Sequence, residues 1–325
     1  MLGALRISLV ALAAIVTPTL AAAQSYPNRP IRLFVGYPPG GAADIIARLI
    51  GQGMSVRLGQ PIVIDNKPGS GTNMAGDAAA KSAPDGYTLL HASDNLFAVN
   101  PHLYARMPFD PLKDLVPVAT LISNQYVLAV HPSVPANTLR EFVEHAGKTK
   151  PPLFYASIGN GSSHHLAMEM LKQQANIDLV HVPYRGAGPA IVDILAGQIP
   201  MIVPAMTAIV QQHHEAGRLR ILAVTHATRL KAAPDLPTAI EQGFPDVVAP
   251  NFIGLYFPTD TPKEIVDHVA QANLKLMAEP SWQEFLVKGA FEIEPPLSTE
   301  KYKQYVEDEM RRWRPIVSAM GIKID

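Results

Sequence analysis

Short apolar runs alternate with stretches of helical periodicity through most of this chain, and that alternation limits the folds open to it more than any other feature. Ile31 to Gly36 is an apolar run followed by Tyr37-Pro38-Pro39-Gly40-Gly41. Ile45, Ile46, Leu49, Ile50 and Met54 then fall on one helical stripe, which Gly59 and Pro61 end. Ile62 to Asp65 reads as the next strand, Asn66-Lys67-Pro68-Gly69-Ser70-Gly71 as a turn-rich loop, Thr72 to Ser82 as a small-residue helix, and Tyr87 to Ala92 as a third strand. Strands and helices in that order predict a parallel sheet with helices on both faces.

A second unit of the same kind starts near Tyr126. Its expected strands are Tyr126 to Val130, Leu153 to Ala156, Leu179 to Val182, Met201 to Val203 and Leu219 to Val224. Helices are expected after the Thr138 and Glu141 capping box, from Ser162 or Ser163 to about Gln174, from Gly188-Pro189 through Ala196, and from about Ala205 to Ala216. Two more, after Pro262 and over about Thr299 to Val317, read as additions to an existing domain. Two α/β modules suit 325 residues better than a single core does.

The first residues read as an export signal: Arg6 supplies positive charge, Ile7 to Val16 an apolar core, and Ala21-Ala22-Ala23 a cleavage site before Gln24. An apolar run of about ten residues falls short of the roughly twenty that span a bilayer. A leader over 1–23 and a periplasmic mature protein are therefore expected. The chain has no cysteine, which rules out a disulfide framework and a cysteine lipid anchor. Lys and Arg total 27 against 28 Asp and Glu, so nothing in the charge balance points to nucleic acid or to a polybasic membrane surface.

The turn between the first strand and the first helix is the leading candidate site. A strand that feeds a glycine turn opening a helix directs backbone N–H groups and a positive helix end at one point, which favours an anion. The bland alternative is a tight connection, with Asp44 as a structural cap and not as an acceptor for a ligand donor. Ala156-Ser157-Ile158-Gly159-Asn160-Gly161-Ser162-Ser163-His164-His165 repeats the arrangement in the second module, where hydroxyls, an amide and free N–H groups are plausible carboxylate donors. Here the alternative is a polar turn with an N-cap serine.

Catalytic and metal readings are weaker. No G-x-S-x-G nucleophile elbow is formed around Ser70 or Ser162. Gly147-Lys148-Thr149 has the ending of a phosphate loop, but Phe142 occupies the place of its first glycine. His164-His165 and His213-His214 are sequence neighbours and so point about 100° apart on a helix, unlike a zinc pair four residues apart.

The chain resembles the Bug-type (TctC-like) extracytoplasmic solute receptors of tripartite tricarboxylate transporters over essentially its whole mature length. The resemblance is carried by Tyr26-Pro27 with Arg29-Pro30-Ile31, by Pro39-Gly40-Gly41 through Asp44, by Asn66-Lys67-Pro68-Gly69 and by Ala83-Pro84-Asp85-Gly86-Tyr87-Thr88-Leu89. It continues through Asn100-Pro101-His102-Leu103-Tyr104, Gly159-Asn160-Gly161-Ser162 with His165-Leu166, His181-Val182-Pro183-Tyr184-Arg185-Gly186, Leu222-Ala223-Val224-Thr225 and Asp235-Leu236-Pro237-Thr238.

The resemblance implies an α/β fold of the type II-like periplasmic binding protein kind. In it a Venus flytrap of two doubly wound domains, joined by two hinge crossings, closes on a small organic acid and presents it to a permease. Domain I is expected over 24–124 and 226–325 and domain II over 125–225, with crossings near Ser123 to Tyr126 and Thr225 to His226. Tyr37, Pro39, Gly40, Gly41, Ala42 and Asp44 are the expected ligand contacts of the first lobe, and Ser157, Asn160, Gly161, Ser162, Ser163 and His165 those of the second. Ser93 and Asp94 are added because ligands of open α/β sheets bind beyond the carboxyl ends of the strands.

Two departures from the family pattern bear on the ligand, the first on its charge and the second leaving its size open. Gly197-Gln198-Ile199-Pro200 lacks an acid often found after that turn, which disfavours an amino group, and Phe252-Ile253-Gly254 replaces a common tryptophan. The expectation is a monomeric, non-enzymatic receptor with no cofactor, metal or nucleic acid. Its partners would be the permease subunits of a tripartite carboxylate transporter, or a sensor kinase. An exported serine hydrolase using Ser162 or Ser163 with His165 is the competing reading.

Overall fold

The computed structural model describes residues 26–93, 95–291, 297–321 and 323–324. The expected leader over 1–23 and Asp94 lie outside the described residues. The strands described, in chain order, are β1 (Ile31–Val35), β2 (Ile62–Asn66), β3 (Thr88–Ser93), β4 (Leu115–Gln125) and β5 (Val127–Val130), then β6 (Leu153–Ser157), β7 (Leu179–Pro183), β8 (Met201–Ile202), β9 (Arg220–Val224) and β10 (Pro250–Pro258).

These strands form two five-stranded sheets, ordered β2-β1-β3-β10-β4 and β7-β6-β8-β5-β9. The sheets are mixed, not parallel as the alternation suggests. β1 runs parallel to β2 and β3, and β6 parallel to β7 and β8, but β10 is antiparallel to β3 and β4, and β5 antiparallel to β8 and β9. The reversed strand next to the parallel trio is in each case the one that arrives from the other lobe. β5 follows β4 across Tyr126, and β10 follows the second lobe's last segment.

The strands absent from the sequence reading, β4 and β10, contain Pro117, Pro250 and Pro258, and proline argues against a central strand. β4 tolerates Pro117 because it is an edge. Gly254 is needed in β10 because a Cβ there would lie 1.9 Å from the Tyr302 hydroxyl oxygen.

Alternation at period two gives each sheet two apolar faces. Leu33 and Val35 pack with Ile50, Leu255 and Leu276 on one side of the first sheet, and Phe34 packs with Phe97, Tyr256 and Tyr302 on the other. Leu128 and Val130 join Phe142, Leu171 and Leu222 on one side of the second sheet, whereas Val127 and Ala129 join Ile194, Ile202 and Ile221 opposite. In the Ala42–Leu58 helix the buried stripe is Ile46, Ala47, Ile50, Met54 and Leu58, while Ile45, placed on the stripe by the sequence, is exposed.

The chain stays on the second sheet after β9: Leu230 and Leu236 pack in one of its cores and Phe244, Val247 and Ala249 in the other. The C-terminal helix, Thr299–Met320, belongs to both halves. Its Tyr302 and Val306 lie in the first lobe's core, and Trp313 and Val317 in the second's.

Candidate functional site

The first loop is held from within by Asp44, in the first turn of the Ala42–Leu58 helix. One carboxylate oxygen accepts from the Gly40 N–H and from Arg48 Nε, both at 2.9 Å, and the other accepts from Asn66 Nδ2 at 2.9 Å. Burial alone would raise its pKa. The Arg48, Gly40 and Asn66 donors outweigh burial and bring it down to about 2. Asp44 is consumed by this framework and lies outside the cleft lining. Gly41 caps the helix with no side-chain bond, so the N–H groups of its first turn, Ala42 included, have no partner within the helix.

The second loop is braced by histidines. Ser157 Oγ lies 2.6 Å from His181 Nε2 and accepts from the Gly159 N–H at 3.1 Å. His165 stacks on His181 with ring centroids 3.8 Å apart, and its Nδ1 accepts from the Gly161 N–H at 3.1 Å. Burial is the main cause that depresses both imidazoles, His181 to about 4. Ser162 caps the Ser163–Ala175 helix by accepting from the His165 N–H. The Ser163 hydroxyl donates to the Asn95 side-chain oxygen of the first lobe. Gly161, at φ +70°, has no room for a side chain, since a Cβ would come within 1.9 Å of Leu103.

Between the loops lie two adjoining cavities of about 270 and 570 Å³. Tyr37, Tyr126, Ile158, His164 and Arg185 line both. The smaller is bounded by Pro39, Gly40, Gly41 and Ser93, and on the far side by Gly186, Ala187, Gly188 and Pro189. The larger is bounded by Gly69, Ser70, Gly71 and Thr72 and by Asn160, Gly161 and Ser162. Four strand-to-helix turns therefore converge on one cleft, two from each sheet. The helices that begin after Gly41, Thr72 and Gly186 carry no side-chain cap.

Among the described residues Arg185 is the sole cation of the lining, and no described acidic side chain lines either cavity. Its guanidinium is exposed and has no hydrogen bond or ion pair among the described residues. Three buried lining groups are also unpartnered: Thr72 Oγ1, both ring nitrogens of His91, and Nδ1 of His164. Burial keeps the imidazoles neutral, drawing His91 down to about 4 and His164 to about 3. Such a lining accepts an anion and offers a cationic group no counter-charge.

The structure thus brings Tyr37, Pro39, Gly40, Gly41, Ser93, Asn160, Gly161 and Ser162 to the cleft. Asp44, Ser157, Ser163 and His165 stand behind it, bonded to the loops. Arg185, His91 and the turns at Gly69–Thr72 and Gly186–Pro189 were not anticipated, and His164 was included only as part of the second loop. A signal for the turns was available, because each repeats the strand, glycine and helix order that marked Gly40-Gly41. His91 shares a strand face with Ser93, two residues on.

Residues 46–322 match the family described as the tripartite tricarboxylate transporter family receptor. Protein BugT of Bordetella pertussis is 33% identical over 318 residues, covering 97% of this chain and 96% of its own. An R. palustris protein solved with adipate superposes with a TM-score of 0.86 at 30% identity, over 92% of this chain and 99% of its own. MatC from Rhodopseudomonas palustris with bound malate superposes at 0.83 and 28% identity, over 90% of this chain and 100% of its own. The fold is that of two-lobed periplasmic binding proteins.

Proposed function

The chain belongs to the tripartite tricarboxylate transporter receptor family, and from that premise we propose that it captures a small organic carboxylate between its lobes and delivers it to the membrane subunits of such a transporter. One observation carries the reading. Uncapped helix ends and Arg185, which has no ion pair among the described residues, meet in a cleft whose described lining contains no acid. Helix N-termini and a guanidinium both favour carboxylate, and their convergence makes the cleft selective for anions. The adipate and malate of the two R. palustris neighbours support the same ligand class.

The direct contacts in this reading are the backbone N–H groups of Gly41 and Ala42, the hydroxyls of Tyr37 and Ser93, the Asn160 amide and Arg185, with Gly40 and Ser162 shaping the loops through their own bonds to Asp44 and Gly159. The receptor acts by binding, without catalysis. Ser162 and Ser163 make cap and lobe contacts, and Ser157, which does pair with a histidine, is fully buried. Its place of action is the periplasm, reached through a leader over 1–23. The lobes divide as 26–125 with 250–325 against 126–249, and the lobes move about Tyr126 and Pro250.

Calorimetric and thermal-shift titration of the mature protein with malate, succinate, adipate and benzoate tests the proposal. Saturable binding and a rise in Tm are expected for at least one acid. A flat response to the whole panel would overturn it.

A further inference from the structure

Two buried imidazoles face the cleft from opposite lobes, and neither is used by the loops around it. His91 lies on β3, is 1% exposed, and has no hydrogen-bond partner for either ring nitrogen among the described residues. His164 lies in the first turn of the Ser163–Ala175 helix, is 6% exposed, and has an unpartnered Nδ1. Both line the smaller cavity. Buried polar atoms nearly always find a partner, so three such nitrogens lining one cavity from its two sides indicate that something brought into the cavity completes them.

Among the described residues the charged groups around them are few. β1 and β10 present Val35 and Leu255 to His91 in register, so its strand neighbours are apolar. Asp44 acts on it from behind the first loop, with Arg48 bound to that carboxylate, and Tyr37 and Arg185 share the cavity wall. His164 packs on the Tyr126 ring, centroids 4.1 Å apart, and meets Arg185 across the cavity. His165, Glu169 and Lys172 lie along its own helix, where His165 is turned to His181 and Lys172 to Glu169.

We infer that this cleft captures its carboxylate together with a proton, which His91 and His164 take up from solvent as the anion arrives beside them. The inference rests on the carboxylate reading above. The step is simple in its balance: an imidazole nitrogen lone pair accepts one proton from water or buffer, and no bond of the ligand forms or breaks. Its consequence is that the incoming charge is neutralised partly by imidazolium, so that Arg185 need not do this alone.

In the empty cleft burial holds His91 at about 4 and His164 at about 3. An anion within about 4 to 6 Å raises such a pKa by roughly 1 to 3. The bound value of each imidazole therefore lies above its free value. A group whose pKa is raised by the ligand tightens binding as pH falls through the bound value. The gain stops at the free value, and it is absent above the bound one. Below about pH 5 the ligand's own carboxylate takes up a proton and binding weakens again.

Titration calorimetry of the mature protein with the tightest-binding acid among malate, succinate, adipate and benzoate, at pH 5.5, 6.5 and 7.5 in buffers of contrasting ionisation enthalpy, tests this. The expected results are a Kd about three- to tenfold lower at pH 5.5 than at 7.5 and heats that differ between buffers by net proton uptake. H91Q, which keeps a polar side chain but cannot be charged, is expected to flatten most of the pH slope, and H164Q the remainder. Carbon-edited NMR of the unmodified protein reads each imidazole with and without the acid, so the result does not depend on either variant folding. Saturable binding with buffer-independent heats and unmoved imidazole signals would overturn the inference and leave the carboxylate reading standing. No binding by any acid would bring down both.

Discussion

The Ser163 hydroxyl of the second lobe donates to the Asn95 side-chain oxygen of the first, and both residues are buried. In this structure the serine fastens one lobe to the other. Ser163→Ala leaves the Asn95 oxygen without its donor. The expected loss is about 1 kcal/mol of stability, with faster amide exchange on both sides of the contact. Hydrogen exchange unchanged at Asn95 and its neighbours would argue against the fastener.

Asp44 is a carboxylate whose role is to bend a loop. Asp44→Ala frees the Gly40 N–H and Asn66 amide and is expected to cost about 1 to 3 kcal/mol, a figure that discounts the half-exposed Arg48 partner. Because its folded pKa is depressed from 3.8 to about 2, the stabilisation is fully present above the ordinary carboxylate value and is lost as pH falls through 3.8 towards 2. Urea unfolding at pH 6 and pH 3 should therefore separate wild type from variant at the higher pH and narrow the gap at the lower, without closing it.

Arg185 separates recognition from stability. It is exposed and unpaired, so Arg185→Gln should leave the unfolding free energy of the unliganded protein within about 0.5 kcal/mol of wild type. Affinity for a bound carboxylate should fall about 10- to 100-fold. Equal Kd values for the two proteins would remove the guanidinium from the site.

Gly161→Ala combines a positive φ with a contact of 1.9 Å to Leu103. Leu103 belongs to the second lobe's core and yields little, so destabilisation of more than about 2 kcal/mol is expected. Trimming the neighbour in Gly161→Ala with Leu103→Ala should recover the steric part and leave the backbone part. Chemical denaturation of the two variants measures both.

The strand, glycine and helix order was legible because each signal is local. β1, the Gly40-Gly41 turn and the stop at Gly59 need only their own neighbours. β4 and β10 were not, because a strand that enters from the other lobe is stabilised by partners far away in sequence, and Pro117 and Gly254 weaken its local signature. The same reasoning explains the site. Sequence marks Ser157, Ser163 and His165 as donors and acceptors but does not say what they bond, and folding turns them on Gly159, Asn95 and Gly161. Arg185 and His91 carry no local mark of function; only the cavity that they share identifies them.

The helix Thr299–Met320 has an implication for how this molecule could be taken apart. Trp313 is fully buried in the core that contains Tyr155 and Leu222, although its own helix starts against Tyr256. The second lobe excised alone would carry an indole-shaped slot that only the far end of the chain can fill. Neither lobe is then a module to be swapped between relatives, and a newly made polypeptide cannot finish its middle before its last residues have been synthesised.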